Sequence, residues 1–220
     1  MAGIRTQIEA VREAMAERPP GLLRHVERVL REALLLAHTW DLDPDRVELA
    51  AWGHDLFRAH PPQEQLRLAR DLGLAVDPDD ERSPIVLHGP IAAAVLRERF
   101  GVTDADVLEA IASHTLGLER MSILAKVILI ADKVEAVKRR RDWPMRLIRA
   151  AAHRDLDLAL LCWADWKWVE ERRHGWAHHA QHWRARREWV AEHHLDRAGP
   201  LRVPDAELEA FAEQFLRGSG

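Results

Sequence analysis

One period runs through almost the whole 220-residue chain. Apolar residues recur at helical spacing in nearly every segment, and no stretch sustains the apolar–polar alternation of a half-buried strand. The fold class that follows is all-α. Helices are predicted near 4–17, 21–38, 44–56, 62–72, 86–99, 104–115, 121–138, 143–152, 155–174, 177–194 and 204–217. The breaks are "RPPG" (18–21), "HPP" (60–62), "VDPDDERSP" (76–84), "FGVTD" (100–104) and "RAGPLRVPD" (197–205). Two starts are signed: Asp43 as a cap ahead of Pro44, and Thr103 as a cap with Asp106 three residues on. The Gly/Pro link divides the chain into a domain over 1–196 and a C-terminal helical extension over 197–220.

Composition narrows the class of partner. Apolar residues make up 47% and charged residues 31%, the balance of a soluble globular chain. A formal net charge of −4 gives no global basic field, so nucleic acid is not an expected partner, and any anion must be held by local charge. Cys162 is the only cysteine, which excludes an internal disulfide framework and any CxxC site, and fits a reducing cytoplasm. The charged N-terminus lacks the apolar core of a signal peptide. The longest apolar run, "ILAKVILIADKV", is broken by Lys126 and Asp132, so no membrane span is expected.

The chemistry lies in polar residues set into apolar helices. His25 stands in "GLLRHVERVL". The adjacent pair His54–Asp55 ends "VELAAWGHDL". His88 opens "LHGPIAAAVL", His114 closes "VLEAIASHTLG", and Asp132 interrupts "AKVILIADKVE". A buried imidazole or carboxylate is costly unless it is paired. Each residue alone is explained by a hydrogen bond in the core. Six of them on five predicted helices relieve one another most simply by meeting, and a metal is the natural meeting point.

The order His25…His54-Asp55…His88…His114…Asp132 resembles that of the HD-domain metal-dependent phosphohydrolases. With "HDLFR", "LHGPIAA", "ASHTLG", "MSILAKVILIADKVE" and "RDWP", it is closer still to their YqeK-like symmetrical bis(5′-nucleosyl)-tetraphosphatase branch, over roughly residues 20–190. The resemblance implies an HD-domain helical bundle, here with additional C-terminal helices. It also implies an iron-loaded centre that cleaves diadenosine tetraphosphate into two ADP. Arg58 stands where the family usually has lysine, Leu116 where a second threonine is common, and "AVKRRRDWP" lacks the usual proline.

Imidazole and carboxylate donors together suit one or two divalent transition metals, iron or alternatively Mn, Co, Ni or Zn, better than Mg. Two ions fit six ligands: His25, His54 and Asp132 on one, His88 and His114 on the other, with Asp55 as the bridging catalytic carboxylate. Bound metal lowers the pKa of water towards neutrality and so supplies hydroxide. Arg58 is the expected clamp on a phosphate oxygen, with Thr115 and the amides near Gly89 as lesser contacts. Lys126 and Lys133 read as snorkelling at the core rim. "KRRR" (138–141) reads as a solvated helix end or, alternatively, a rim that gathers phosphates. Trp163, Trp166, Trp168, Trp176, Trp183 and Trp189 read as packing for late helices or a homodimer surface. His174, His178 and His182, at successive i, i+4 spacing, read as a solvated face. The expected partner is a nucleotide polyphosphate. The alternatives are another HD phosphohydrolase acting on nucleoside mono- or triphosphates, and a non-catalytic nucleotide sensor or scaffold.

Overall fold

A computed structural model describes residues 3–198, of which 193–198 are described as backbone only. Among the described residues there are twelve α-helices and no strand, as the period requires. They are α1 (Ile4–Ala16), α2 (Pro20–Thr39), α3 (Pro44–Gly53), α4 (Pro62–Asp71), α5 (Pro78–Arg82), α6 (His88–Arg99), α7 (Ala105–Ser113), α8 (Ile123–Val134), α9 (Ala136–Arg141), α10 (Pro144–Ala152), α11 (Leu156–His174) and α12 (Ala180–Ala198). A 3-10 turn over Pro84–Leu87 leads into α6. The helix expected at 204–217 lies outside the described residues.

Helix α8 is the axis of the bundle. From Leu124 to Ala131 every residue but Lys126 is buried, so this helix is apolar on nearly all sides and must be enclosed. It packs against α2, α7, α10 and α11. Helix α3 completes the inner layer against α2 and α7, with α1 on its outer side. Val26, Val29, Ala33 and Leu36 of α2 close the core against Ile128 and Leu129, and each buried Leu or Ile contributes about 1.5–3 kcal/mol. A smaller cluster, Ala69, Leu87, Ile91 and Val95, seats α4 on α6.

The ends follow local chemistry. Asp43 caps α3 by accepting from the Asp45 amide, ahead of Pro44, as the sequence indicates. Thr103 is not the cap of α7. Asp104 takes that place, accepting from Asp106 and Val107, and Arg46 grips the Asp104 carboxylate with two hydrogen bonds. Helix α5 falls inside a stretch expected to be loop and is held by an Asp77–Asp80 capping box. The segment expected as one helix over 121–138 is two, because Glu135 leaves helical geometry (ψ 161°) and caps α9 with its own side chain.

Trp163, Trp166 and Trp189 pack as expected, buried between α11, α12 and the bundle, whereas Trp176 is 58% exposed. The solvated reading over 174–182 holds for His174 and His178, which are exposed, and is corrected for His182 and for the shared helix face. Gly175, in the left-handed conformation, ends α11, so no single helix carries the three. His178 stacks on Trp168, and His182 is fully buried with Nδ1 2.9 Å from the Leu116 carbonyl. None of the described helices is long and apolar enough to cross a membrane.

Candidate metal centre

Three of the six candidate ligands sit at helix ends built the same way. His54 follows α3, His88 opens α6 and His114 follows α7. In each, Nδ1 donates to the carbonyl three residues earlier: His54 to Ala51 (2.7 Å), His88 to Ile85, and His114 to Ile111 (2.7 Å). A neutral ring that donates from Nδ1 offers only a lone pair at Nε2. All three rings therefore aim bare acceptors at one point. His25 comes from the second turn of α2 and Asp132 from α8.

Asp55 lies at that point. Its Oδ1 is 3.0 Å from His88 Nε2 and 3.5 Å from His114 Nε2. Its Oδ2 is 3.6 Å from His25 Nε2 and 3.7 Å from His54 Nε2. Asp132 Oδ1 lies 3.1 Å from His25 Nε2. Two triads thus share one carboxylate, His25–His54–Asp55 and Asp55–His88–His114. His54, Asp55, His88, His114 and Asp132 are buried and His25 nearly so.

The donors fit a cation. Nε2 of His88 and of His114 face each other at 2.9 Å with no proton between two rings that already donate from Nδ1. The buried Nε2 of His54 has no hydrogen-bond partner. Facing lone pairs beside a carboxylate repel, and a metal ion converts that repulsion into bonding.

Charge is tuned the same way. Burial holds His54 below its ordinary pKa and His114 down to about 4, so both rings are neutral donors at neutral pH. Burial pushes the Asp55 carboxyl up; protonated imidazoles around it, His54 first, would hold it well below the carboxylate range, and with those rings neutral that part falls to a cation. Asp132 resists burial in the same way, through the ammonium groups of Lys133 and Lys138 and then His25.

His25, Asp55, His88, His114 and Asp132 floor a cavity of about 530 Å³ whose wall also carries Leu22, Arg58, Ile85, Thr115, Lys133 and Lys138. The exposed Arg58 lines the cavity, and Thr115 Oγ1 stands 3.2 Å from His114 Nε2 and 3.4 Å from His88 Nε2. Gly89 is not on the wall. It is buried under α7, where a Cβ would meet the Ile111 and Ala112 carbonyls at 2.8 and 3.0 Å. Lys133 is no snorkelling rim residue: its Nζ donates to Asp132 Oδ2 (2.6 Å) inside the cavity, whereas Lys126 turns outward to Asp157. Lys138, read within the "KRRR" helix end, also points inward. The only signal for either was proximity to Asp132 in sequence.

The model of the HD domain family matches residues 22–137, over half of the chain and spanning all six residues. The chain belongs to the HD domain family. Three proteins named "Bis(5′-nucleosyl)-tetraphosphatase, symmetrical" are similar to it. The Staphylococcus aureus one is 35% identical over 58% of this chain and 65% of its own length. The Halalkalibacterium halodurans protein is 34% identical over 63% and 72%, and the Bacillus subtilis one 32% over 62% and 72%. The fold matches that of a Clostridium acetobutylicum protein described as a predicted HD superfamily hydrolase involved in NAD metabolism. The TM-score is 0.78 at 26% identity, covering 84% of this HD domain chain and 97% of that one.

Proposed function

We propose that this HD domain protein is a metal-dependent phosphohydrolase that splits a dinucleoside tetraphosphate symmetrically, diadenosine tetraphosphate giving two ADP. The observation that carries the reading is the meeting of His25, Asp55, His88, His114 and Asp132, backed by the buried His54, with the cations of Arg58, Lys133 and Lys138 at one cavity. The names of the relatives support the substrate.

His25, His54 and Asp132 would hold one divalent ion and His88 and His114 a second, with Asp55 between them. The mixed imidazole–carboxylate set favours iron, Mn, Co, Ni or Zn over Mg, and the family resemblance makes iron the first choice. When bound, such ions supply acidified water and positive charge against phosphoryl oxygens. The protein's part is placement. Nδ1–H bonds to Ala51, Ile85 and Ile111 keep the three rings oriented and neutral. Asp55 stays ionised at working pH. Arg58, on the turn after α3, presents a planar fork able to take two oxygens of one phosphate. Thr115 can donate one hydroxyl proton to a phosphate oxygen at the floor. Leu22, Ala59 and Ile85 offer an apolar wall for a nucleoside. Residues 1–196 are taken as one functional unit of a cytoplasmic protein acting on free nucleotide.

The test is metal analysis of protein purified without chelator, followed by a product screen over dinucleoside polyphosphates, dNTPs and nucleoside monophosphates. The reading expects ADP as the sole product of diadenosine tetraphosphate. An AMP and ATP mixture, or turnover confined to mononucleotides, overturns it.

A further inference from the structure

Three side chains of α12 converge on one turn. Gln181 Nε2 donates to the Gly117 carbonyl (2.9 Å), His182 Nδ1 to that of Leu116 (2.9 Å) and Trp189 Nε1 to that of Leu118 (2.8 Å). The donors stand 64 to 71 positions along the chain from the carbonyls they bind. His182 and Trp189 are seven residues apart and so share a face of α12. Gly117 lets that face approach, since its left-handed φ and missing Cβ leave room for the Trp189 ring. His182 and Trp189 are buried, as are Leu116 and Gly117. A buried carbonyl needs a donor, and α12 supplies three in succession.

That turn follows directly on a candidate ligand. His114 ends α7, and the chain reverses at once, with the Gly117 amide donating to the Ser113 carbonyl at 2.8 Å. Helix ends fray first, so a ligand in that place depends on what holds the residues after it. His54 also ends its helix, but the turn after it closes on itself: the amides of Leu56, Arg58 and His60 donate to the carbonyls of Gly53 (3.2 Å), Asp55 (2.9 Å) and Phe57 (3.2 Å). The two halves of the centre therefore have different supports. The His54 half is held locally. The His114 half leans on α12, which lies beyond the residues matched by the HD domain model. The bond from His114 Nδ1 to Ile111 fixes how the ring points, but not where its segment sits.

We propose that Gln181, His182 and Trp189 are positioning residues that hold the His114 segment in place, so that α12 sets the metal affinity of the Asp55–His88–His114 triad and leaves that of the His25 and His54 side unchanged. This rests on the metal-dependent reading above but is separable from it. Wild-type turnover and product identity judge that reading. Affinity for Co²⁺, measured by calorimetry, judges this one whichever nucleotide is hydrolysed.

Two backgrounds read the two sides in turn. His25→Ala leaves Asp55, His88 and His114 together, and His88→Ala leaves His25, His54 and Asp55 together. In the His25→Ala background, His182→Leu should weaken Co²⁺ binding by about tenfold or more, the scale of a lost support behind a metal ligand. Trp189→Phe, which keeps the ring and removes only the N–H, should weaken it in the same direction, as should Gln181→Met. His182→Asn, whose amide can donate where Nδ1 does, should recover part of the loss. In the His88→Ala background none of these should change Co²⁺ affinity. Arg186→Met is the control for loosened packing. Arg186 joins α12 to Asp165 of α11 with two hydrogen bonds and does not touch the turn. It should lower the melting temperature and leave Co²⁺ affinity unchanged in both backgrounds. Undiminished Co²⁺ binding by Trp189→Phe, Gln181→Met and any folded His182→Leu protein would overturn the proposal. So would equal losses in the two backgrounds, or a loss in Arg186→Met as large as that in His182→Leu.

Discussion

Gly89→Ala tests how the second half of the centre is held. A Cβ there would stand 2.8 Å from the Ile111 carbonyl oxygen, 3.0 Å from that of Ala112 and 3.2 Å from His114 Cε1. Ordinary contacts begin near 3.4 Å, so α6 must move off the end of α7 by about half an ångström. Backbone carbonyls cannot rotate away as a side-chain tip can. Overpacking of this kind costs about 1–3 kcal/mol, or roughly 2–12 °C of melting temperature in a chain of this size. The same movement separates His88, beside Gly89, from His114, whose Nε2 atoms are 2.9 Å apart. Metal ligation tolerates about 0.2 Å, so affinity for the ion shared by Asp55, His88 and His114 should fall about 10–100-fold. Gly53→Ala is the control. Its Cβ comes as close, 2.8 Å and 2.9 Å, but to the side-chain tips of Leu96 and Ile111, which can shift. Both glycines lie in helices, so their gain in helix propensity is similar and the difference isolates the contact. The assay is thermal melting together with metal stoichiometry. A Gly89→Ala protein that melts with Gly53→Ala and keeps full metal would refute the packing argument.

Acid should unfold the protein partly through His182. Burial, then Lys167, holds its pKa down to about 3 against an ordinary 6.5, so the unfolded chain takes up the proton first. Stability from this residue is complete above about pH 6.5 and falls by about 1.4 kcal/mol per unit as pH drops towards 3. Urea denaturation between about pH 6.5 and 4.5 should show wild type losing about 2–3 kcal/mol more than His182→Gln, and parallel losses would refute the assignment. Gly117→Ala faces both a φ of +75° and Trp189 ring atoms 2.6 Å from its Cβ, so it should cost about 2–4 kcal/mol and red-shift tryptophan fluorescence. An unshifted melt would show that α12 does not lean on this turn. Chelator should lower the melting temperature of wild type, and added metal should restore it, whereas Asp55→Asn should melt at the same temperature with or without chelator. A chelator-insensitive wild type would deny the centre its metal.

The six candidate ligands were legible because each breaks an apolar helical face, and the structure brings all six together. What sequence hid was mostly long-range. Asp104 rather than Thr103 caps α7 because Arg46, 58 positions away, fixes its carboxylate. The break at Glu135 has neither Gly nor Pro to announce it, and depends on a buried side chain turning to cap the next helix. Helix α5 was lost among turn residues because five residues carry no period. By contrast, Gly175 was a visible stop, and the i, i+4 histidine count ran across it. Gly89 suggested an open amide beside a phosphate; its missing Cβ instead makes room for the neighbouring helix.

The repeated turn at His54, His88 and His114 has a consequence for how such a centre can change. Each imidazole takes its tautomer and ring angle from a carbonyl in its own segment, three residues upstream. Orientation is therefore a property of the segment, and tertiary packing has only to bring three finished pieces within reach. Substitutions elsewhere in the bundle can slide these pieces closer or further apart, altering affinity by degrees, without flipping which nitrogen faces the ion.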